Sequence, residues 1–267
     1  MRAVNSADGT VIALDQLGAG PPLVMVVGAF NTRATTAPLA AALQERFTIL
    51  NYDRRGRGDS GDTPPYSVER EIEDLDALIA QAGGSAAVFG YSSGANLALQ
   101  AAARGLAITE LALYEPPFIL DGSHPRPPAD LAAQLAGLVA ADRRGDAVEL
   151  YQRKAIGMPE QVVTQLRHAP FRPGLEEIAH TLAYDATIIG DLTLPTELLA
   201  SIQTPTLVIE GEKSPPVMRE AARAVAEALQ NGRLCTLADE AHEISPPATA
   251  AALEDFLSAG WDIAAVD

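Results

Sequence analysis

The fold is decided by residues 85–99, which read SAAVFGYSSGANLAL. An apolar run, a tight turn and an alanine-rich run follow one another here, and this order predicts a buried strand, a turn and a helix. Ser92 is the middle residue of the frame Gly90-x-Ser92-x-Gly94, whose glycines let a helix pass close to a strand. The frame alone also fits an ordinary strand-to-helix connection. With the flanking runs included, it predicts a sharp turn that exposes the Ser92 hydroxyl as a nucleophile.

The net charge limits the partners that this chain can bind. The 267 residues carry a formal charge of −16 and the pI is near 4.6, so a nucleic-acid backbone or an anionic membrane surface would be repelled. We therefore expect a small-molecule ligand, no nucleic-acid partner and no membrane partner. The sequence leaves a homodimer open.

The cysteine content and the N-terminus predict the compartment. Cys235 is the only cysteine, so no internal disulfide can form, and its apolar surroundings predict a small core residue. Residues 1–6 lack the apolar segment of a signal peptide, and no apolar run is long enough to cross a bilayer. These features predict a cytoplasmic protein.

Strand and helix patterns alternate along most of the chain, which predicts an α/β fold with a mostly parallel central sheet and helices on both faces. The predicted strands are 10–17, 23–27, 48–52, the run before Ser92, 111–114, 204–209 and 233–237. The predicted helices are 38–47, 67–82, the run after Ser92, 216–229 and 247–257.

Residues 118–200 interrupt this alternation, because they show no strand pattern but four amphipathic helical patterns. These patterns cover 128–142, 146–156, 159–167 and 175–186. A helical block between two strands of one sheet predicts an inserted cap. The predicted domains are therefore a core, residues 1–117 and 201–267, and a helical cap, residues 118–200.

Residues 56–61 read GRGDSG and match the G-x-G-x-x-G pattern of a dinucleotide site. Such a site needs a helix to begin there, whereas Pro64 and Pro65 follow at once and prevent a helix in that register. The pattern favours a compact turn whose charged residues are solvated or paired internally. We therefore expect no cofactor and no metal ion, and a dinucleotide-dependent oxidoreductase is the less favoured alternative.

A serine nucleophile needs a base to take its proton and an acid to support that base. His242 follows the last predicted strand, and parallel strands present such loops at one edge of the sheet, which is also the edge of Ser92. The other histidines, His124, His168 and His180, fall in or beside the cap helices. We therefore expect His242 to be the base.

Three glutamates compete for the role of the acid. Glu115 directly follows a strand, and Pro116 should restrict the Glu115 backbone to an extended conformation that points the side chain off the sheet edge. Glu212 and then Glu210 are the alternatives, both in or next to the loop after the strand at 204–209. If Glu115 instead paired with an arginine at the sheet edge, its role would be purely structural.

Attack on a carbonyl group also needs backbone donors for the negative charge that develops on oxygen. The amide of Ser93, at the start of the predicted helix, is one candidate. The second donor should come from the loop after the strand at 23–27, where Ala29 or Phe30 offers an N–H group.

Taken together, these residues resemble the α/β-hydrolase fold superfamily. The resemblance rests on the loop at Gly28, the turn at 52–60, the Ser92 frame, the cap insertion and the late His242. It covers nearly the whole chain and implies the α/β-hydrolase fold.

The resemblance also suggests roles for individual residues. Val27-Gly28 stands where the family usually carries His-Gly, and Ala29 then matches the oxyanion donor. Most members place the acid at the position of Ser214, which cannot serve as an acid. A minority branch places the acid where Glu115 stands. The Ser92 frame together with this shifted glutamate looks like the arrangement of the zearalenone lactonases.

The sequence thus predicts a cofactor-independent serine hydrolase that cleaves a carboxylic ester or lactone of a small apolar substrate through an acyl-enzyme. Ser92 attacks, His242 transfers the proton and Glu115 orients the imidazole. A thioesterase or acyltransferase with the same triad, and a non-hydrolytic binding protein or catalyst, are the alternatives. The side chains expected to contact substrate are Phe30, Tyr91, Met158, Phe171, Leu182 and Tyr184.

Overall fold

The chain forms an eight-stranded sheet in a computed structural model that describes residues 2–122 and 124–258. The strand order is β1-β2-β4-β3-β5-β6-β7-β8. The pairs β1–β2 and β2–β4 are antiparallel, and the other five neighbouring pairs are parallel. The strands are β1 Arg2–Asn5, β2 Val11–Leu17, β3 Pro22–Val26, β4 Thr48–Tyr52, β5 Ala86–Tyr91, β6 Ile108–Tyr114, β7 Thr206–Gly211 and β8 Gly232–Leu237.

Helices cover both faces of the sheet and fill the segment between β6 and β7. They are α1 Arg33–Leu43, α2 Val68–Gln81, α3 Ser93–Ala103, α4 Leu131–Ala140, α5 Arg144–Lys154, α6 Glu160–Leu166, α7 Arg172–Glu177, α8 Leu182–Ile189, α9 Thr196–Ser201, α10 Pro216–Ala228 and α11 Pro246–Ser258. A short 3-10 helix, Ala179–Thr181, precedes α8. Among the described residues, no helix combines the length and the apolar character that a membrane span requires.

The central strands are apolar on both faces because each face packs against helices. Successive side chains of β3 alternate between two apolar layers. Leu23 and Met25 face the layer that contains α1 and α11, whereas Val24 and Val26 face the layer of α2, α3 and α10. This double burial explains the unbroken apolar run in the sequence.

The segment between β6 and β7 is helical and has a hydrophobic cluster of its own, formed mainly by α4, α5 and α8. Ala29 and Phe30, in the loop after β3, pack against this cluster from the core side. Leu199 of α9 joins the core layer of α3 and α10, as does Ile188 at the end of α8. The last residues of the predicted cap therefore pack with the core.

Besides α9, for which no helix was predicted, three elements differ from the sequence-based predictions. Strand β1 was missed, because a four-residue strand at a sheet edge carries a weak pattern. Helix α1 begins at Arg33 and contains Pro38, which we expected at its start. The predicted helix 175–186 is divided between α7, the 3-10 helix and α8.

We expect Gly94→Ala to destabilise the fold, because a Cβ at position 94 would lie 2.4 Å from the Val26 carbonyl oxygen. The cost should be about 1–3 kcal/mol, as for other overpacked sites. Gly137→Ala is the matched control, since a Cβ in the middle of α4 meets no atom within 4 Å. That variant should gain up to about 1 kcal/mol from helix propensity. Urea unfolding measures both, and equal midpoints would contradict the prediction.

Candidate active site

Ser92 occupies a strained turn between β5 and α3. Its φ of 54° and ψ of −126° are unusual for a residue with a side chain, and such strain persists only where the surrounding structure holds it. The Ser92 amide donates to the carbonyl oxygen of Tyr114 on the neighbouring strand, at 2.9 Å. The serine is therefore fixed at the carboxyl edge of the sheet, and its side chain is partly exposed.

The glycines around Ser92 are required by close contacts. A Cβ at Gly90 would lie 2.6 Å from the Cα of Ala95, where α3 crosses the strand. A Cβ at Gly28 would lie 2.9 Å from the Cβ of Ser92. The loop after β3 and the Ser92 turn thus touch each other at a position that only glycine can occupy.

His242 and Glu115 form a direct acid–base pair. His242 Nδ1 lies 2.6 Å from Glu115 Oε2, and the Glu115 side chain is fully buried. Its other carboxylate oxygen accepts the Gly211 amide at 2.8 Å. Both oxygens of the carboxylate are therefore bound, and the Nε2 of the oriented imidazole makes no hydrogen bond to a described residue.

The environment of Glu115 favours its charged form. Burial raises the pKa of the Glu115 carboxyl, but hydrogen bonds from His242 and the Gly211 amide outweigh burial, so the net pKa lies below its ordinary value of 4.5. The neighbouring Ser214 hydroxyl also lowers the pKa of the Glu115 carboxyl. An ionised Glu115 is suited to support a protonated imidazole.

The backbone of Glu115 is not extended as the sequence led us to expect. Its φ is 46°, in the left-handed region, and its amide donates to the Ile209 carbonyl oxygen at 3.0 Å. Pro116 disfavours only the right-handed helical region for the preceding residue, so a contact with β7 can select a different conformation. The side chain reaches the sheet edge by this route.

The two alternative acids bind other partners. Glu210 is buried and accepts hydrogen bonds from Arg223 and Thr236 at 2.9 Å each. Glu212 is exposed and accepts the amide of Asp239 at 3.0 Å. Of the three candidate glutamates, Glu115 is the one that contacts His242.

The loop that carries His242 is held against the sheet by Tyr114, whose hydroxyl donates to the Ala241 carbonyl oxygen at 2.7 Å. The His242 ring lies beside Tyr91, with ring centroids 5.1 Å apart. This contact brings the imidazole next to the residue that precedes Ser92. No hydrogen bond joins Ser92 to His242 within the described part of the chain, so the proton-transfer contact itself is open here.

The loop after β3 presents one occupied and one open amide to the site. The Ala29 N–H donates to Ser93 Oγ at 2.8 Å. Phe30 has a φ of 63°, and its N–H makes no hydrogen bond to any residue that the structure describes. The predicted donor Ala29 is thus already engaged, and the Phe30 amide is the available one.

A buried ion cluster lies behind this loop and was missed as a site feature by sequence reasoning. Arg54 binds Glu71 through both carboxylate oxygens, at 2.6 and 2.7 Å, and Asp185 at 2.8 Å. Arg57 also binds Asp185. All four side chains are almost fully buried. The charges of the turn at 53–61 are therefore paired internally, and these arginines are not solvated.

The arginines determine the charge of Asp185. Burial raises the pKa of the Asp185 carboxyl, but Arg54 and Arg57 outweigh burial, so the net pKa lies below its ordinary value. The only sequence signal for this residue is a single carboxylate in the otherwise largely apolar stretch of α8.

The turn at 56–61 has the compact form that we expected. The Gly56 amide donates to the Gly61 carbonyl oxygen at 2.9 Å, and a Cβ at Gly58 would lie 2.1 Å from the Asp53 carboxylate. No helix begins at these glycines. Among the described residues, no cluster of three or more His, Cys, Asp or Glu side chains could hold a metal ion.

The side chains expected to contact substrate do not form one group. Leu182 is fully buried in the cluster of the insertion, and Phe171 is 54% exposed on its surface. Tyr184 stacks on Tyr66 and donates its hydroxyl to Asp62 at 2.7 Å. Met158 is partly exposed.

Two of the expected contacts do lie beside the site. Phe30 packs edge-on against Tyr151 of α5, with ring centroids 5.4 Å apart. Tyr91 contacts the His242 ring. Aromatic side chains therefore border the Ser92 turn on the side of the insertion and on the side of the histidine loop.

Comparison with known proteins agrees with this geometry. The model of a family described as "Alpha/beta hydrolase family" matches residues 23–256. The chain belongs to the alpha/beta hydrolase family. In such folds the functional site lies on loops at the carboxyl edge of the sheet, and Ser92, Glu115 and His242 lie at this edge.

Relatives of this alpha/beta hydrolase are similar over nearly their whole length. An alpha/beta hydrolase from Sphaerobacter thermophilus is 52% identical, with a TM-score of 0.90 over 96% of this chain and 100% of that one. The 2-(acetamidomethylene)succinate hydrolase of Mesorhizobium japonicum is 27% identical over 91% of this chain and 90% of that protein. An enol-lactonase from Burkholderia xenovorans, 22% identical, shares the fold with a TM-score of 0.71 over 96% and 99%. The family and its named members support a hydrolase activity.

We expect Glu115→Gln to destabilise this alpha/beta hydrolase in a pH-dependent manner. The folded pKa of Glu115 is lowered, so its stabilising contribution is present above the ordinary value of 4.5 and is lost as the pH falls through the folded pKa. At pH 7 the cost should be about 2 kcal/mol, typical of a hydrogen bond to a charged group.

Urea unfolding of wild type and Glu115→Gln between pH 7 and pH 3.5 measures this difference, which should narrow as the pH falls. Glu212→Gln serves as the control, because Glu212 is exposed and does not touch His242. If the difference in free energy of unfolding between wild type and Glu115→Gln stayed constant or grew toward low pH, the assignment of an ionised, buried Glu115 would be contradicted.

Proposed function

We propose that this chain is a cofactor-independent serine hydrolase that cleaves a carboxylic ester or lactone of a small apolar substrate through an acyl-enzyme. The observation that carries the proposal is the 2.6 Å contact between the buried Glu115 carboxylate and His242, beside the strained turn of Ser92. A partly exposed hydroxyl after β5, an acid after β6 and a base after β8, all at one sheet edge, are the groups that activate a serine.

The proposed first step is the attack of Ser92 Oγ on the substrate carbonyl carbon. The serine proton passes to His242 Nε2, and the imidazolium is stabilised by the Glu115 carboxylate at Nδ1. Collapse of the tetrahedral intermediate breaks the ester bond, and His242 returns the proton to the leaving alkoxide. A water molecule, activated by His242, then attacks the acyl group and restores the Ser92 hydroxyl.

The negative charge that develops on the carbonyl oxygen needs donors near Ser92. We assign the Ser93 amide, at the first position of α3, and the Phe30 amide to this role. Ala29 was the donor expected from family resemblance, but its N–H already has an acceptor in Ser93 Oγ at 2.8 Å. The open Phe30 N–H takes its place in the proposal.

The substrate class follows from the surroundings of the turn. Phe30 and Tyr91 present aromatic surface, and the insertion cluster behind Phe30 is apolar. The buried cations Arg54 and Arg57 are both neutralised by carboxylates. An uncharged, apolar ester or lactone fits these surroundings better than a carboxylate-bearing substrate.

The open contact between Ser92 and His242 favours one alternative, a non-hydrolytic protein that uses the same site. Catalytic hydrogen bonds are often open without substrate and close only in the complex, so the open contact is compatible with a hydrolase as well. A fluorophosphonate probe separates the two functions, because it is attacked only by an activated serine and loses fluoride. Labelling of wild type at Ser92 supports the hydrolase, and lack of labelling supports the alternative.

We expect Ser92→Ala to abolish hydrolysis of a p-nitrophenyl ester, because the acyl-enzyme can no longer form. The loss in kcat should be about 10⁴-fold or more. The release of p-nitrophenolate measures the rate, and an unchanged thermal midpoint shows that the variant is folded. A folded Ser92→Ala variant with full activity would refute the mechanism.

We also expect Glu115→Gln to lower kcat by about 10²–10⁴-fold, since the variant loses the charge that stabilises the imidazolium. Glu212→Gln is the matched control, and its kcat should stay within about twofold of wild type. If Glu212→Gln proved the more damaging substitution, the acid would have to be reassigned.

A further inference from the structure

The second serine of the turn, Ser93, joins the site to the insertion. Ser93 Oγ donates to Asp185 Oδ1 at 2.8 Å and accepts the Ala29 N–H at 2.8 Å. Ser93 is 2% exposed, and Asp185 is fully buried. A short chain of hydrogen bonds therefore runs from α8 of the insertion, through the residue after the nucleophile, to the loop after β3.

The direction of this chain is fixed by charge. Asp185 lies between Arg54 and Arg57 and is held in its ionised form, and an ionised carboxylate can only accept hydrogen bonds. The single proton of the Ser93 hydroxyl must therefore point at Asp185. The lone pairs of Ser93 Oγ therefore remain to accept a hydrogen bond, and the Ala29 N–H donates to them.

Three carbonyl oxygens of the loop at 28–31 are held as well. Arg57 donates to the Gly28 carbonyl oxygen at 2.6 Å and to the Asn31 carbonyl oxygen at 3.1 Å. The Asn31 side-chain amide donates to the Ala29 carbonyl oxygen at 2.6 Å. With these groups and the Ala29 N–H engaged, the Phe30 N–H is left without a partner among the described residues.

We propose that the Ser93 hydroxyl and Asp185 are positioning residues that hold the Ala29 N–H away from the reacting carbonyl and leave the Phe30 N–H as the oxyanion donor. This inference rests on the proposed hydrolase function and concerns the same site. Neither side chain touches the reacting atoms. Each acts through the loop backbone, and Asp185 makes the insertion a participant in the chemistry of the core.

The test compares Ser93→Ala with Ser201→Ala. Ser93→Ala keeps the Ser93 amide and removes only the hydroxyl that binds Ala29 and Asp185. Ser201 is an exposed serine at the end of α9, so Ser201→Ala should leave kinetics unchanged. The readouts are kcat and KM with a p-nitrophenyl ester and hydrogen exchange of the Ala29 amide.

We expect Ser93→Ala to lower kcat by about 10–100-fold while KM stays within about twofold, less than the loss on deleting an oxyanion donor outright. Exchange of the Ala29 amide should accelerate, because the amide has lost its acceptor. Asp185→Asn should act in the same direction. Since that variant leaves two buried arginines with a neutral partner and could fail to fold, Ser93→Ala carries the decision.

A folded Ser93→Ala variant with wild-type kcat would overturn the proposal. A variant in which kcat and KM change by the same factor and the thermal midpoint falls would overturn it too, because these changes indicate a structural role alone. If wild type itself neither hydrolyses esters nor reacts with the fluorophosphonate, the hydrolase function fails separately. In that case the exchange measurement still decides the positioning role: faster exchange of the Ala29 amide in Ser93→Ala supports it, and unchanged exchange overturns it.

Discussion

The close approach of α3 to strands β3 and β5 is the constraint on which the rest of the site depends. At position 94 the space between the helix and the Val26 carbonyl oxygen is too small for a Cβ, and at position 28 the loop backbone meets Ser92 directly. Because these distances are so short, the Ser92 turn has one conformation available to it. Ser92, the first helical amide of α3 and the loop after β3 are consequently assembled as one unit.

Two sets of charged side chains support this unit in different ways. The Glu115 carboxylate orients a single imidazole and has its second oxygen bound to the backbone of β7. The arginines at 54 and 57 instead hold backbone carbonyls and the Asp185 carboxylate, so their charges stay buried and balanced. The first set acts on the imidazole of the proposed reaction, whereas the second shapes the loop after β3. Both depend on residues that follow sheet strands, which is why the turn at 53–61 and the edge at 115 carry so many polar groups.

Much of the arrangement could be predicted from the sequence, because it depends on local patterns. The frame around Ser92, the polar residue directly after β6 and the histidine after β8 each follow an apolar strand, and parallel strands bring such positions to one edge. The conformation of Glu115 could not be predicted, since a contact with β7 selects it. The bond between Ser93 and Asp185 joins residues 92 positions apart, and no local pattern marks it. The predicted helix 175–186 is interrupted at 178–181, where the Thr181 hydroxyl donates to the Ile178 carbonyl oxygen at 2.8 Å.

The origin of Asp185 in the insertion limits how freely that segment could be exchanged between homologous enzymes. In a chimera whose grafted helices lacked a carboxylate at this place, two guanidinium groups in the interior of the core would lose a counter-ion, a strongly destabilising change. Whether this segment can be exchanged therefore depends on which residues occupy the turn at 53–57. Recombination that respects the charge balance must move both pieces together.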